Sequence, residues 1–152
     1  SERRLYRMTT GSLSQRLPPA LVGADRPDMG MIVPQTAAAA LVSENKALCW
    51  PASADSIPTC EDQEDHVAMS TTAAWRLREV VDNSRRVVAV ELLCAARALS
   101  LRFREDSRTV LGEGARFALP RIQQSIEELV APSDQIEAIA QMIFRGELED
   151  PC

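Results

Sequence analysis

The feature that most constrains this chain is the apolar spacing after His66. Leu77, Val81, Ser84, Val88, Leu92, Ala95 and Leu99 recur at steps of four and three, and Val80, Val87 and Leu93 widen the stripe. Only a helix puts those positions on one side. Unbroken from Asp65 to about Leu101, it would measure about 55 Å at 1.5 Å per residue, longer than a small globular domain is wide. Such a helix needs partners along its length. Its other face carries Arg76, Arg78, Glu79, Asp82, Arg85, Arg86 and Arg97, a solvated or salt-bridged surface.

The rest of the chain reads as helices arranged around that one. Ser1 to Met8 can form a short helix, after which Gly11, Pro18, Pro19, Gly23, Pro27 and Gly30 interrupt any regular pattern. From Met31, the residues Ile32, Val33, Ala37 to Ala40, Leu41 and Val42 make a helix apolar on nearly every side, and such a helix is expected to be buried on every side. Trp50-Pro51 closes it. Arg102 to Gly114 reads as a loop. A helix over about Glu113 to Val130 holds Pro120 as a kink or break, and one from Ser133 to Arg145 is opened by Ser133 as N-cap and closed by Gly146. The expected fold is all-α, a bundle of long helices. Residues 1–30 read as an irregular connector from a preceding part, 31–104 as central bundle helices with a loop at 51–65, and 105–152 as C-terminal helices.

Composition narrows the function. With 152 residues, 45% of them hydrophobic, the chain can bury a core, and its formal net charge of −5 leaves no basic footprint for nucleic acid. Cys49, Cys60, Cys94 and Cys152 lie far apart without a C-x-x-C pair, so neither a metal site nor a disulfide framework is expected. Reduced thiols suit a cytoplasmic protein. No apolar run approaches the roughly 18 residues of a membrane span.

The unusual chemistry is concentrated between Ser56 and Met69. Serines in the loop 51–62 favour side-chain bonds to the backbone over regular structure. Glu61, Asp62, Glu64 and Asp65 place four carboxylates within five positions, followed by His66, the single histidine. If the long helix starts between Asp62 and Asp65, those acids stabilise its N-terminus, which is the structural reading. If they are buried together, repulsion and desolvation raise a carboxylate toward general-base use or toward pairing with an ammonium group, which is the chemical one. The single histidine and the lack of a nucleophile motif leave no hydrolase triad.

Four runs carry a resemblance. Thr36-Ala37-Ala38-Ala39-Ala40-Leu41-Val42-Ser43-Glu44-Asn45-Lys46, Pro51-Ala52-Ser53-Ala54-Asp55-Ser56-Ile57-Pro58-Thr59, Gln63-Glu64-Asp65-His66-Val67 and Ala89-Val90-Glu91-Leu92-Leu93-Cys94-Ala95-Ala96 resemble, in order and spacing, signatures of the histidine ammonia-lyase (aromatic amino-acid lyase) family. Leu111-Gly112-Glu113-Gly114-Ala115-Arg116 extends the likeness. The resemblance implies the C-terminal portion of such an enzyme: all-helical, homo-oligomeric, with active sites shared between subunits, and eliminating ammonia from an aromatic amino acid, histidine to urocanate being favoured. It implies Glu64 as the site carboxylate, near the substrate's amino group or ring, with Gln63 orienting it and Asp65 and His66 as cap and scaffold.

The family's electrophile, a methylidene-imidazolone formed from Ala-Ser-Gly, is expected in a missing N-terminal part, because no Ala-Ser-Gly occurs in the chain. The cofactor expectation for the chain itself is therefore none, and the chain alone is expected to be inactive. Its partners would be that N-terminal part or other subunits. Cys60-Glu61-Asp62 departs from the small, neutral Ser-Ala-Asn or Ser-Gly-Asn usual there by adding two charges beside the expected site. A non-catalytic helical assembly protein and part of an aromatic aminomutase are the rival readings.

Overall fold

A computed structural model describes residues 1–23, 29–54, 56–106 and 108–149. Helix α1 covers Glu2–Thr9, α2 Ile32–Leu48, α3 Ser70–Glu105, α4 Glu113–Ile126 and α5 Pro132–Phe144. The 36 residues of α3 reach about 54 Å. All four other helices pack on it, while α1 also meets α2, and α4 meets α5. The all-α architecture is as the periodicity indicates.

The buried positions of α3 all lie from Asn83 onward: Asn83, Val87, Ala89, Val90, Leu93, Cys94, Ala96 and Ala98. There they meet Leu5 of α1, Ala38 of α2, Leu119 and Ile122 of α4, and Ile139 and Ala140 of α5 in one core. Each fully buried aliphatic side chain contributes about 1.5–3 kcal/mol. Leu17, Leu21 and Met31, from the segment between α1 and α2, join the same core. The expected seam falls one position aside from this face. Leu77 and Val81 are exposed, and Val88, Leu92, Ala95 and Leu99 are half-buried. The same applies to α2, expected to be buried all round: only Pro34 and Ala38 are buried, and Ile32 and Val33 face solvent. Both helices have more apolar surface than this chain covers.

Polar groups pin the helices where the core does not. The Asn83 side-chain amide donates to Glu44 Oε2 at 3.0 Å and to Asn45 Oδ1 at 3.1 Å, and Asn45 Nδ2 reaches Ser84 Oγ and the Val80 carbonyl. This knot fixes the register of α2 on α3. Replacing Asn83 by leucine, of similar size, should cost about 1–2 kcal/mol, because the amide bonds go and two α2 acceptors lose their donor. A urea midpoint equal to the parent's would show that the knot adds nothing. At α1, Arg4 forks onto Glu91. Partial burial pushes the Glu91 carboxyl up, but the bonds from Arg4 and Ser1 and the nearby positive charges outweigh it and hold Glu91 below the usual carboxylate range.

Several helix ends differ from expectation. Ser133 does not cap α5: Pro132 takes the first position, where its missing N–H is no loss, and Ala131 is the N-cap. Its other end does close at Gly146, whose φ of 70° permits a Schellman pair, Glu147 N–H to the Met142 carbonyl and Gly146 N–H to the Ile143 carbonyl. Helix α3 runs to Glu105, so the loop expected from Arg102 begins at Asp106. Helix α4 keeps Pro120 inside it and ends at Ile126, short of Val130. Among the described residues, no helix is long and apolar enough to cross a membrane, and no cluster of His, Cys, Asp and Glu could hold a metal ion.

Candidate active site

The largest departure concerns the acidic cluster. Helix α3 begins at Ser70, not between Asp62 and Asp65, and its N-cap, Met69, is left-handed with φ 50° and makes no side-chain cap bond. The acids therefore do not cap a helix. Asp65 and His66 precede it in exposed, non-helical backbone.

Residues 56–67 instead form a narrow loop folded back on itself. Glu64 N–H donates to the Thr59 carbonyl at 3.4 Å and Thr59 N–H to the Glu64 carbonyl at 3.1 Å, a single antiparallel bridge. Inside it, Gln63 N–H closes a turn onto the Cys60 carbonyl at 3.2 Å. Cys60, Glu61 and Asp62 have φ of 54°, 57° and 65°, three successive left-handed residues with no glycine among them. A side chain with a Cβ costs about 1–2 kcal/mol in that conformation, least for Asp or Asn. This turn prevents α3 from extending back to Asp62.

At the base of the loop, Val67 N–H donates to Ser56 Oγ at 2.8 Å and the Ser56 hydroxyl reaches the Val67 carbonyl at 3.3 Å. Ser56 thus makes the side-chain-to-backbone bond that the serine content suggests, across eleven positions. Arg76 of α3 anchors the other side, donating to the Trp50 carbonyl at 2.9 Å where α2 ends.

The loop presents Glu64 at its bridge. The carboxylate accepts from Thr59 Oγ1 at 3.4 Å, so Thr59, not Gln63, is the side chain bonded to it. Gln63 sits beside it with its side chain exposed, and Glu61, Asp62 and Asp65 are also exposed. The shared burial that the chemical reading of the cluster needs is absent here. Charges spread into water repel weakly, by about 1 kcal/mol even at 4 Å. What the loop offers is a carboxylate at a fixed backbone position, able to pair with an ammonium group or a polar ring. Ser56 and Thr59 carry no individual signal in the sequence; the proline between them, Pro58, is the one hint of a chain about to turn.

A methylidene-imidazolone needs an internal tripeptide that can cyclise through a glycine. Ala52–Ala54 forms a 3-10 turn in which Ala54 N–H bonds the Pro51 carbonyl at 3.4 Å, and Ala54 stands where the glycine would be required. These residues do not fit that group. Asp55, part of the same motif, lies outside the described residues.

Helices threaded around one over-long member, with a backbone-locked Gln-Glu loop at its N-terminal end, place the chain among the aromatic amino acid lyases: the model of that family matches residues 1–124, and the chain belongs to it. The chain is 44% identical to the histidine ammonia-lyase of Symbiobacterium thermophilum over 97% of its own length and 29% of that protein's. Against that of Natranaerobius thermophilus the identity is 38%, with the same coverage. Among solved structures, histidine ammonia-lyase from Trypanosoma cruzi superposes with a TM-score of 0.85 at 34% identity, covering 97% of this chain and 28% of that one. Tyrosine aminomutase from Streptomyces globisporus gives 0.86 at 33% identity, with 97% and 28% covered. The chain thus spans less than a third of the length of these relatives.

Proposed function

We propose that the chain is the C-terminal part of a histidine ammonia-lyase-like enzyme and supplies Glu64 to a composite active site that removes ammonia from an aromatic amino acid, histidine to urocanate being favoured. In this reading the Glu64 carboxylate pairs with the substrate's ammonium or imidazole, and Gln63 lines the same site. Residues 31–104 carry the bundle helices and the loop 51–65, residues 105–152 close one end, and residues 1–30 lead in from the rest of the cytoplasmic enzyme. The chain alone is inactive. Its partners are the rest of the lyase and further copies, which cover the apolar surface of α2 and the N-terminal half of α3.

One observation carries the reading: a carboxylate on a backbone-locked loop whose residues 57–66 are all exposed, with no other described element enclosing it. A side chain built for solvent has no need of three left-handed residues to hold it. Trp75 at 73% exposure and Leu77 at 62%, on the α3 turns beyond the loop, leave an apolar wall for another segment to complete.

The test is ammonia and urocanate release from histidine by the chain, alone and mixed with a lyase part carrying Ala-Ser-Gly. Activity only in the mixture is expected. Silence from a mixture shown to assemble would favour a non-catalytic scaffold. The likeness to tyrosine aminomutase supports a second reading, in which the amino group is moved instead of lost. A β-amino acid product would decide for it.

A further inference from the structure

We propose that Ser56 is a positioning residue for Glu64, its hydroxyl serving as the outer rung of the ladder that holds the carboxylate in place; this rests on the role proposed for Glu64. The observation is one of register. The pair Thr59 and Glu64 exchanges two backbone bonds, and Ser56 and Val67 lie three residues further out on each strand, in the same register. In an antiparallel ladder facing pairs alternate between bonded and unbonded, and three positions out from the bonded Thr59–Glu64 pair the facing backbones exchange no bonds of their own. Here the Ser56 hydroxyl adds the bonds that the backbones lack at this position, accepting from Val67 N–H at 2.8 Å and donating to the Val67 carbonyl at 3.3 Å.

A side chain is needed at that place. Ile57 and His66, which face each other at the next bonding position between the two rungs, exchange no backbone bond. The tip holds Cys60, Glu61 and Asp62 in left-handed backbone, and if the outer rung is lost the inner one, with bonds of 3.1 and 3.4 Å, and the 3.2 Å turn bond from Gln63 N–H to the Cys60 carbonyl are left to hold that strain. Without the Ser56 hydroxyl the bridge opens, and Glu64 loses both its backbone position and its contact with Thr59 Oγ1. A register slip of one residue would turn Glu64 to the opposite face.

The test has two arms. On the chain alone, NMR amide exchange of Glu64 and Val67 should accelerate about tenfold or more in Ser56→Ala, with Val90 in the core unchanged, and Ser56→Thr, which keeps the hydroxyl, should restore the slow rates. Unchanged exchange at Glu64 in Ser56→Ala overturns the proposal. In the assembled lyase, Ser56→Ala should lower turnover about tenfold or more. Because it acts through Glu64, the double variant with Glu64→Gln should be no slower than Glu64→Gln alone. Multiplying losses would mean a general structural role and overturn the positioning claim. If Glu64→Gln leaves turnover intact, the reading of Glu64 fails, and the exchange arm still decides whether Ser56 holds the loop.

Discussion

Between pH 9 and pH 12 the folded chain should lose about 4 kcal/mol of stability through one thiol, that of Cys94. The side chain is fully buried on α3, and burial pushes it from an ordinary 9.0 up to about 12, the Arg97 guanidinium pulling weakly the other way. The unfolded chain gives up the proton near 9, whereas the folded chain keeps it to about 12. The contribution is therefore complete below pH 9 and is lost as pH rises toward 12, at about 1.36 kcal/mol per unit. Urea unfolding at pH 8 and about 10.5 should show the parent losing about 2 kcal/mol more than Cys94→Ala, which lacks the group and so cancels other alkaline effects. Equal losses in the two proteins would mean that the thiol ionises as readily in the fold as outside it.

Cys94 also illustrates what the sequence could reveal. Spacing at steps of four and three is enough to identify α3 as a helix, because no other local structure brings such positions together. It does not select the buried face. Asn83, Val87, Val90 and Cys94 repeat with the same steps as Leu77, Val81, Ser84 and Val88, and which stripe is covered depends on where α1, α2, α4 and α5 attach. The helix start was missed for a different reason. Asp62 and Asp65 are suitable first-turn residues, but the left-handed turn at 60–62 is closed by the Thr59–Glu64 pair and the loop by the Ser56 to Val67 rung across eleven positions, which no local propensity encodes. Likewise Ser133 has the character of an N-cap, but the fixed φ of its neighbour Pro132 starts α5 one residue earlier. For the proposed site, motif resemblance points to Glu64 and Gln63 where spacing alone favours a helix cap, while Thr59, bonded to the Glu64 carboxylate, emerges only from the fold.

Glu64→Gln should reduce ammonia release from histidine in the assembled lyase by about 10²–10³-fold, the range expected when a group that carries charge or a proton in the transition state is made neutral. The substitution is nearly isosteric, and the amide oxygen can still accept from Thr59 Oγ1 as the carboxylate does at 3.4 Å. The loop should therefore keep its fold, seen as unchanged slow exchange at Glu64 and Val67, and the loss would report the charge alone. Glu64→Ala removes the acceptor as well and should lose at least as much. The choice of substrate adds a sharper expectation. The loss should then be larger for histidine, whose ring can bond to a carboxylate, than for phenylalanine, whose ring cannot. A uniform loss for both substrates would place Glu64 at the amino group that they share. No loss for either would remove Glu64 from the chemistry and leave the strained turn at 60–62 without a functional reason.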